Sequence, residues 1–352
     1  MKGLILSGGY GTRLRPLTYS QQKQLIPVGN KPVLFYAIED LIDAGIDDIG
    51  IIVGPNKEQV METVKGRNWD ANIEFIYQSE PKGLAHTIIV AEKFLDGQPF
   101  IMYLGDNLLK EGVVDHVNKF LNSDSEASIL LTEVPNPQEF GIAKLNEKNE
   151  VVQLIEKPKD PPSNLAVIGI YLFRPAIFQA VKEIKPSWRN QLEIVDAIQW
   201  LVDNGYKVKS AFVQGWWKDT GKPEDIIHAN RLVLDEIKET KNFGALENAK
   251  INGRVIIEEN AAVENSIIKG PAIVGKNCKV MNSYIGPYTS IGNNCEITNT
   301  EIEDSVIMEG TKINGIKRIV ESLIGRGVEI IKNDGLPEGH KLVIGDNSQV
   351  RI

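Results

Sequence analysis

The sequence predicts an α/β fold built on a mostly parallel sheet, followed by a parallel β-helix. Three observations predict it. Through about residue 235, strand-like apolar runs alternate with helical patterns, the rhythm of βαβ units with helices on both sheet faces. After Asn242, aliphatic residues recur at every fifth or sixth position, as they do in a hexapeptide-repeat solenoid. At 352 residues the chain also exceeds one typical core, so two domains are expected.

Strands are expected at Gly3–Leu6, Ile49–Val53, Ile73–Tyr77, Phe100–Leu104, Ser128–Thr132, Val167–Phe173 and Val208–Val213. Helices are expected at Val33–Ala44, Lys57–Val64, Leu84–Phe94, Val113–Leu121, Pro175–Ile184, Glu193–Asn204 and Pro223–Lys238. In the second texture the inward aliphatics run Ile257, Val263, Ile268, Val274, Val280, Ile285, Ile291, Ile297, Ile302, Ile307, Ile313, Ile319, Ile324 and Ile330. A small residue precedes most of them by two positions, as at Ala261, Ser266, Ala272, Ser283, Thr289, Thr300, Ser305 and Thr311. With three hexads to a triangular coil, they imply about four to five coils. Expected boundaries are 1–240 for the α/β domain, 241–331 for the β-helix and 332–352 for a tail. Leu342, Val343 and Ile344 would let that tail cap the last coil or cross to a neighbouring copy. Cys278 and Cys295 fall on the small-residue position, so they read as buried structural thiols.

Apolar content of 42% and charged content of 24% describe an ordinary globular protein. A net charge of −8 argues against nucleic acid as the main partner. No run reaches membrane-spanning length, the first residues are too briefly apolar for a signal peptide, and the expected location is the cytoplasm.

The most informative stretch follows the first strand: Gly8-Gly9-Tyr10-Gly11-Thr12-Arg13-Leu14-Arg15-Pro16, then Lys23-Gln24-Leu25-Ile26-Pro27. Glycines at the carboxyl end of a buried strand let backbone N–H groups approach an anion closely. Arg13 adds a forked cation and Lys23 a point charge, so the stretch reads as a triphosphate cradle. A Walker loop is excluded because no Lys-Ser or Lys-Thr follows. A dinucleotide fingerprint is excluded because Leu14 stands where its third glycine belongs.

These two blocks, GGxGTRLxPLT and KQLIPVxNKP, resemble the signature of nucleotidyltransferases that join a nucleoside triphosphate to a sugar 1-phosphate. The resemblance spans residues 1–238 and is strongest to the glucose-1-phosphate thymidylyltransferases. It implies a Rossmann-like catalytic domain, a left-handed hand for the β-helix, and transfer of a nucleoside monophosphate from dTTP to glucose 1-phosphate. The products would be dTDP-glucose and pyrophosphate.

Asp106 directly follows Phe100–Leu104, and Asp219 precedes a helix that Pro223 starts. From local sequence alone Asp106 is equally a turn cap and a carboxylate at the ligand crevice, while Asp219 reads first as the N-cap of that helix. The resemblance assigns both to Mg2+, held among the phosphates. It assigns Arg13, Lys23 and Lys157 to phosphate neutralisation in catalysis. Leu6, Gly8, Gly9, Gly11, Thr12, Gln24, Gln78, Pro81, Gly83 and Asp106 go to the nucleotide, with Gln24 and Gln78 on the base. Gly141, Glu156, Lys157 and Val167 go to the sugar phosphate. The chain departs from the family at His86, Phe140, Lys144, Asn190, Gln191 and Val195, which bears on sugar and base selectivity.

Of the four histidines, His86, His116, His228 and His340, none lies in the hexapeptide coils, so the coils lack the base an acyltransferase there would use. The β-helix therefore reads as architecture, a route to a homo-oligomer. The competing expectations are UTP as the nucleotide, and a non-catalytic regulatory or assembly subunit of the same fold. Survival of Arg13, Lys23, Asp106, Lys157 and Asp219 weighs against the second.

Overall fold

The structure, a computed structural model, describes residues 1–333 and 342–351. His340 and the middle of the expected tail lie outside the described residues. The chain divides into two compact units. The first comprises 1–10, 22–25 and 33–218; the second comprises 11–21, 26–32 and 219–352.

The first unit is built on a nine-stranded sheet. Its central strand, Lys2–Ser7, runs parallel to Asp48–Val53 on one side and Phe100–Leu104 on the other. Leu4 and Leu6 face one buried cluster and Ile5 the other, so a strand covered on both faces reads as an unbroken apolar run. Asn72–Tyr77 extends the parallel set at one edge. On the opposite side the sheet becomes mixed. Leu165–Phe173 pairs antiparallel with Phe100–Leu104, Ala127–Glu133 and Gly141–Leu145, and Val151–Glu156 closes that edge. Leu165–Phe173 is continuous with the expected 167–173 strand. Of the hairpin Gly141–Leu145 and Val151–Glu156, only a strand end at Glu156 and Lys157, ahead of Pro158, is expected from sequence, because its apolar positions are too few to stand out. The expected helix 84–94 is interrupted at Ala91, giving Leu84–Val90 and Glu92–Leu95.

The second unit contains the helix Pro223–Asp235 and three parallel sheets of six, six and five short strands. These are the three faces of a left-handed parallel β-helix. Val263, Val280, Ile297 and Ile313 stack in register on one face, and Ile257, Val274, Ile291 and Ile307 on another. Cys278 and Cys295 are buried free thiols among them, as their register implies.

There are more strands than four to five coils supply. The excess lies at the start, where Lys241–Asn242, Ala245–Glu247 and Lys250–Asn252 form a first coil. That coil keeps the small-residue spacing at Gly244 and Ala249, but polar Asn242 stands at its first inward position and Leu246 is exposed, so its apolar periodicity is weak. The corners carry an unread signal. Asn260, Asn277 and Asn294 adopt positive φ, and their side chains form a ladder with 3.2 and 3.1 Å bonds. Asparagine tolerates the left-handed region, which glycine supplies elsewhere.

Within the second unit, Asn230 on the helix is 1% exposed and joins three segments. It accepts from Gly29 N–H (2.9 Å) and Ser290 Oγ (2.7 Å) and donates to the Tyr288 carbonyl (2.9 Å). Asn30 donates to the Ile291 carbonyl at 2.6 Å. The described tail residues Leu342, Val343 and Ile344 are exposed. Among the described residues no helix is long and apolar enough to cross a membrane.

Candidate functional site

Three neighbouring parallel strands of the first unit each run straight into a glycine: Ser7 into Gly8, Val53 into Gly54 and Leu104 into Gly105. Two of these glycines are held to that size by backbone contact. A Cβ on Gly54 would meet the Gly8 carbonyl at 2.6 Å, and one on Gly105 the Leu6 carbonyl at 3.0 Å. Gly9 has open space around its Cβ position. The backbone at this edge is thus packed closely at Gly8 and open at Gly9, as a backbone anion cradle needs. Gly54 escaped sequence reading; its signal was the glycine directly after an apolar strand.

Lys23 forms an ion pair with Asp106 Oδ2, while Asp106 Oδ1 accepts from Asn107 at 3.0 Å. Asn107 is held in turn by Trp217 Nε1 at 2.6 Å, and the Trp216 carbonyl accepts from Lys110 N–H at 3.1 Å. The first unit therefore brings together Lys23 and Asp106 and orients the carboxylate through a tryptophan. This anchoring was not readable from local sequence.

Gln24 and Gln78 are buried. Gln78 Nε2 lies 2.9 Å from His86 Nδ1, and a Cβ on Gly8 would lie 3.5 Å from Gln78 Oε1. Pro81 is exposed in the loop before Gly83. Gly83 has φ +104°, and a Cβ there would meet the Leu192 carbonyl at 2.3 Å. The loop is laced to that segment by Leu192 N–H to the Lys82 carbonyl (2.8 Å) and Ala85 N–H to the Leu192 carbonyl (3.0 Å). Gly83 is thus fixed both by conformation and by contact.

A second cluster gathers three of the expected sugar residues. A Cβ on Gly141 would lie 3.2 Å from Glu156 Oε2 and 4.0 Å from Val167 Cγ2. It would meet Val195 Cγ2 at 2.9 Å, so a position that departs from the family lines this cradle. Arg189 bridges two carboxylates, Glu156 and Glu193, at 2.9 Å each, and Ser187 Oγ donates to Glu193 at 2.8 Å. Burial raises the Glu156 pKa, Arg189 pulls it back, and Glu193 pushes it up again. Local sequence does not reveal Arg189 and Glu193 as the clamp on Glu156, since they act on a residue more than thirty positions away. Lys157 adopts φ 46°, a left-handed turn, where an extended strand end was expected, and its N–H bonds the Phe140 carbonyl at 3.0 Å. The proline that follows favours extended backbone at Lys157, so this left-handed turn runs against the local preference.

The second unit carries the remaining residues: Gly11, Thr12, Arg13 and Asp219. Gly11, at φ 62°, caps the short 3-10 turn Thr12–Leu14 that presents Arg13. A Cβ on Gly221 would lie 3.0 Å from Asp219 Oδ2 and 3.2 Å from Arg13 Nη2, so carboxylate and guanidinium close over one bare backbone position. Gly221 is a further residue the sequence reading did not assign.

Among the described residues no cluster of three or more His, Cys, Asp or Glu side chains surrounds a single point. The donor chemistry still fits a magnesium-like ion. Such an ion takes one or two carboxylates and completes its shell with substrate phosphates and water. Asp106 and Asp219 are hard oxygen donors of that kind.

Comparison with known proteins gives these features a context. Residues 2–236 match the family model described as Nucleotidyl transferase. Over its whole length the chain is 51% identical to the low-salt glycan biosynthesis nucleotidyltransferase Agl11 of Haloferax volcanii, which it covers completely. It is 45% identical, again over the whole chain and 99% of the relative, to a glucose-1-phosphate thymidylyltransferase of Streptomyces griseus. A crystal structure of a putative glucose-1-phosphate thymidylyltransferase from Bacillus anthracis, in complex with a sucrose, superposes with a TM-score of 0.62. It is 34% identical, covering 68% of this chain and 98% of that one.

Proposed function

Given that the chain belongs to the nucleotidyl transferase family, with sugar 1-phosphates as acceptors, we propose that it is a glucose-1-phosphate thymidylyltransferase: it makes dTDP-glucose and pyrophosphate from dTTP and glucose 1-phosphate. The observation that carries this reading is the cradle of Gly141, Glu156 and Val167, an open backbone beside a clamped carboxylate, suited to sugar hydroxyls. The family generally uses a divalent metal, and we assign Mg2+ here, with Asp106 and Asp219 as its ligands. The ion would neutralise phosphate charge.

An oxygen of the sugar phosphate attacks the α-phosphorus in line; a P–O bond forms, and the bond to pyrophosphate breaks with the electron pair leaving on pyrophosphate. Leu6 and the backbone of Gly8, Gly9, Gly11 and Thr12 bind the nucleotide, and Arg13 neutralises the departing pyrophosphate. Lys23 and Lys157 bracket the α-phosphate and the incoming phosphate. Glu156 and Gly141 orient the sugar, with Val167 against its ring, while Gln24, Gln78, Pro81 and Gly83 meet the base. The attacking phosphate is already ionised, so the reaction needs no general base. We assign residues 1–240 to catalysis, 241–331 to an assembly role as a homo-oligomer, and 332–352 to a tail, in a cytoplasmic enzyme.

The test is pyrophosphate release with Mg2+, crossing dTTP and UTP against several hexose 1-phosphates, with Asp106→Asn as control. Turnover favouring dTTP and glucose 1-phosphate, lost in the variant, supports the reading. A UTP preference moves the substrate to the uridylyl class with the mechanism kept. No turnover by folded protein with any pair overturns it and favours the regulatory subunit.

A further inference from the structure

Two buried amides face the glycine edge, and in each a neighbouring side chain decides which end is presented. Gln22 Nε2 lies 3.0 Å from the Ser7 carbonyl, 2.8 Å from the Gly9 carbonyl and 3.2 Å from Gln24 Oε1. Backbone carbonyls only accept, so the end of Gln22 set between them is its NH2. The two carbonyls take both of its hydrogens, and a second NH2 at 3.2 Å would face it donor to donor, so Gln24 turns its oxygen toward Gln22 and keeps its own NH2 for another partner.

Gln78 takes the opposite sense when His86 is the tautomer protonated on Nε2. Its Nε2 sits 2.9 Å from His86 Nδ1, and a neutral imidazole carrying its proton on Nε2 accepts there. The oxygen of Gln78 is then the end near Gly8. Burial, and after it Lys82, lowers the His86 pKa while Glu80 opposes them, which favours the neutral ring. Gln22, Gln24 and Gln78 are all buried, so water does not make good a wrongly turned amide.

We propose that Gln22 and His86 are positioning residues for base choice: they polarise Gln24 and Gln78 so that the pair offers one NH2 and one carbonyl oxygen. That is the complement of a base edge with an O4 acceptor beside an N3–H donor. Thymine and uracil carry this edge, and cytosine carries its reverse, an amino group beside a bare ring nitrogen. The inference rests on the reading of Gln24 and Gln78 as base contacts. Neither Gln22 nor His86 needs to touch the nucleotide.

The experiment compares kcat/KM for dTTP, UTP and CTP, each with glucose 1-phosphate, in the wild type and in Gln22→Met, His86→Leu and His86→Gln. A ratio taken within one preparation is independent of how much of it is folded. The wild type should favour dTTP and UTP over CTP by at least about a hundredfold, since mispaired buried polar groups discriminate strongly. Gln22→Met and His86→Leu should each narrow that ratio by about tenfold or more, with the KM for glucose 1-phosphate unchanged. His86→Gln retains an acceptor and should retain the ratio.

An unchanged ratio in Gln22→Met and His86→Leu overturns the proposal, as does a wild type that uses CTP equally well. Gln24→Ala and Gln78→Ala separate the two layers. If both leave the dTTP KM unchanged, the base-contact reading falls and the proposal with it. If they raise it while the polarising variants keep the ratio, only the polarisation falls.

Discussion

At the edge of the α/β sheet, Gly8, Gly54 and Gly105 each occur once, and each serves a single close contact or opening. In the β-helix the corner is rebuilt by another asparagine seventeen residues further on, at Asn260, Asn277 and Asn294. The first region is made of unique solutions, where one substitution removes something nothing else supplies. The second is made of copies, where a loss at one coil is shared with neighbours in register. The proposed function places chemistry in the first kind of construction and mechanical support in the second.

The sharpest way to break this comparison is at Asp106, whose two oxygens meet Lys23 and Asn107. Asp106→Asn should lower pyrophosphate release by at least about a hundredfold with an unchanged melting temperature, by analogy with loss of a preorganised charge partner. A variant that melts early and keeps its turnover would reverse the assignment of roles.

Next comes the β-helix interior. Ile297 is fully buried between Val280 and Ile313, and Ile297→Ala should cost about 3 kcal/mol in chemical denaturation while leaving kcat unchanged. A parallel fall in kcat would show that the coils act on the chemistry directly.

Glu156 sharpens the comparison through pH. Its folded pKa is raised by burial, so as pH falls it takes up a proton before an ordinary carboxylate does. The KM for sugar phosphate should therefore rise as pH falls, starting at a higher pH than an ordinary carboxylate would set, and Glu156→Gln should flatten that limb while raising KM about tenfold at neutral pH. The groups facing it, Arg189, Glu193 and Lys157, are those whose charge sets where the limb falls.

The smallest effect is expected at Asn277→Ala, which loses two ladder bonds and a tolerated left-handed residue. A cost of about 1 kcal/mol, read by thermal melting, is the expectation for one corner among several.

Much of this was legible in the sequence for local reasons. Gly8–Arg13 announces itself because glycines, a strand and cations are contiguous. The β-helix does so because its period repeats. Glu156 and Gly141 emerged only through family resemblance, and their meeting depends on a hairpin whose strands carry little apolar pattern. Gln22, Gly54, Arg189 and Glu193 stayed unread in their roles, since each acts on a partner distant in sequence. A glutamine two residues before another glutamine says nothing of the two carbonyls it will hold.

The Asn230 junction has a consequence for how the chain is made. Gly29 waits for an acceptor 201 residues later, and Asn30 for one 261 residues later. At ribosomal rates of about 5–20 residues per second, that is a delay on the order of ten to fifty seconds. A nascent chain arrested before residue 230 should show rapid hydrogen exchange at the Gly29 amide, and the released chain should not. The loop that follows Lys23 and Gln24 is among the first parts synthesised and among the last to find its partners.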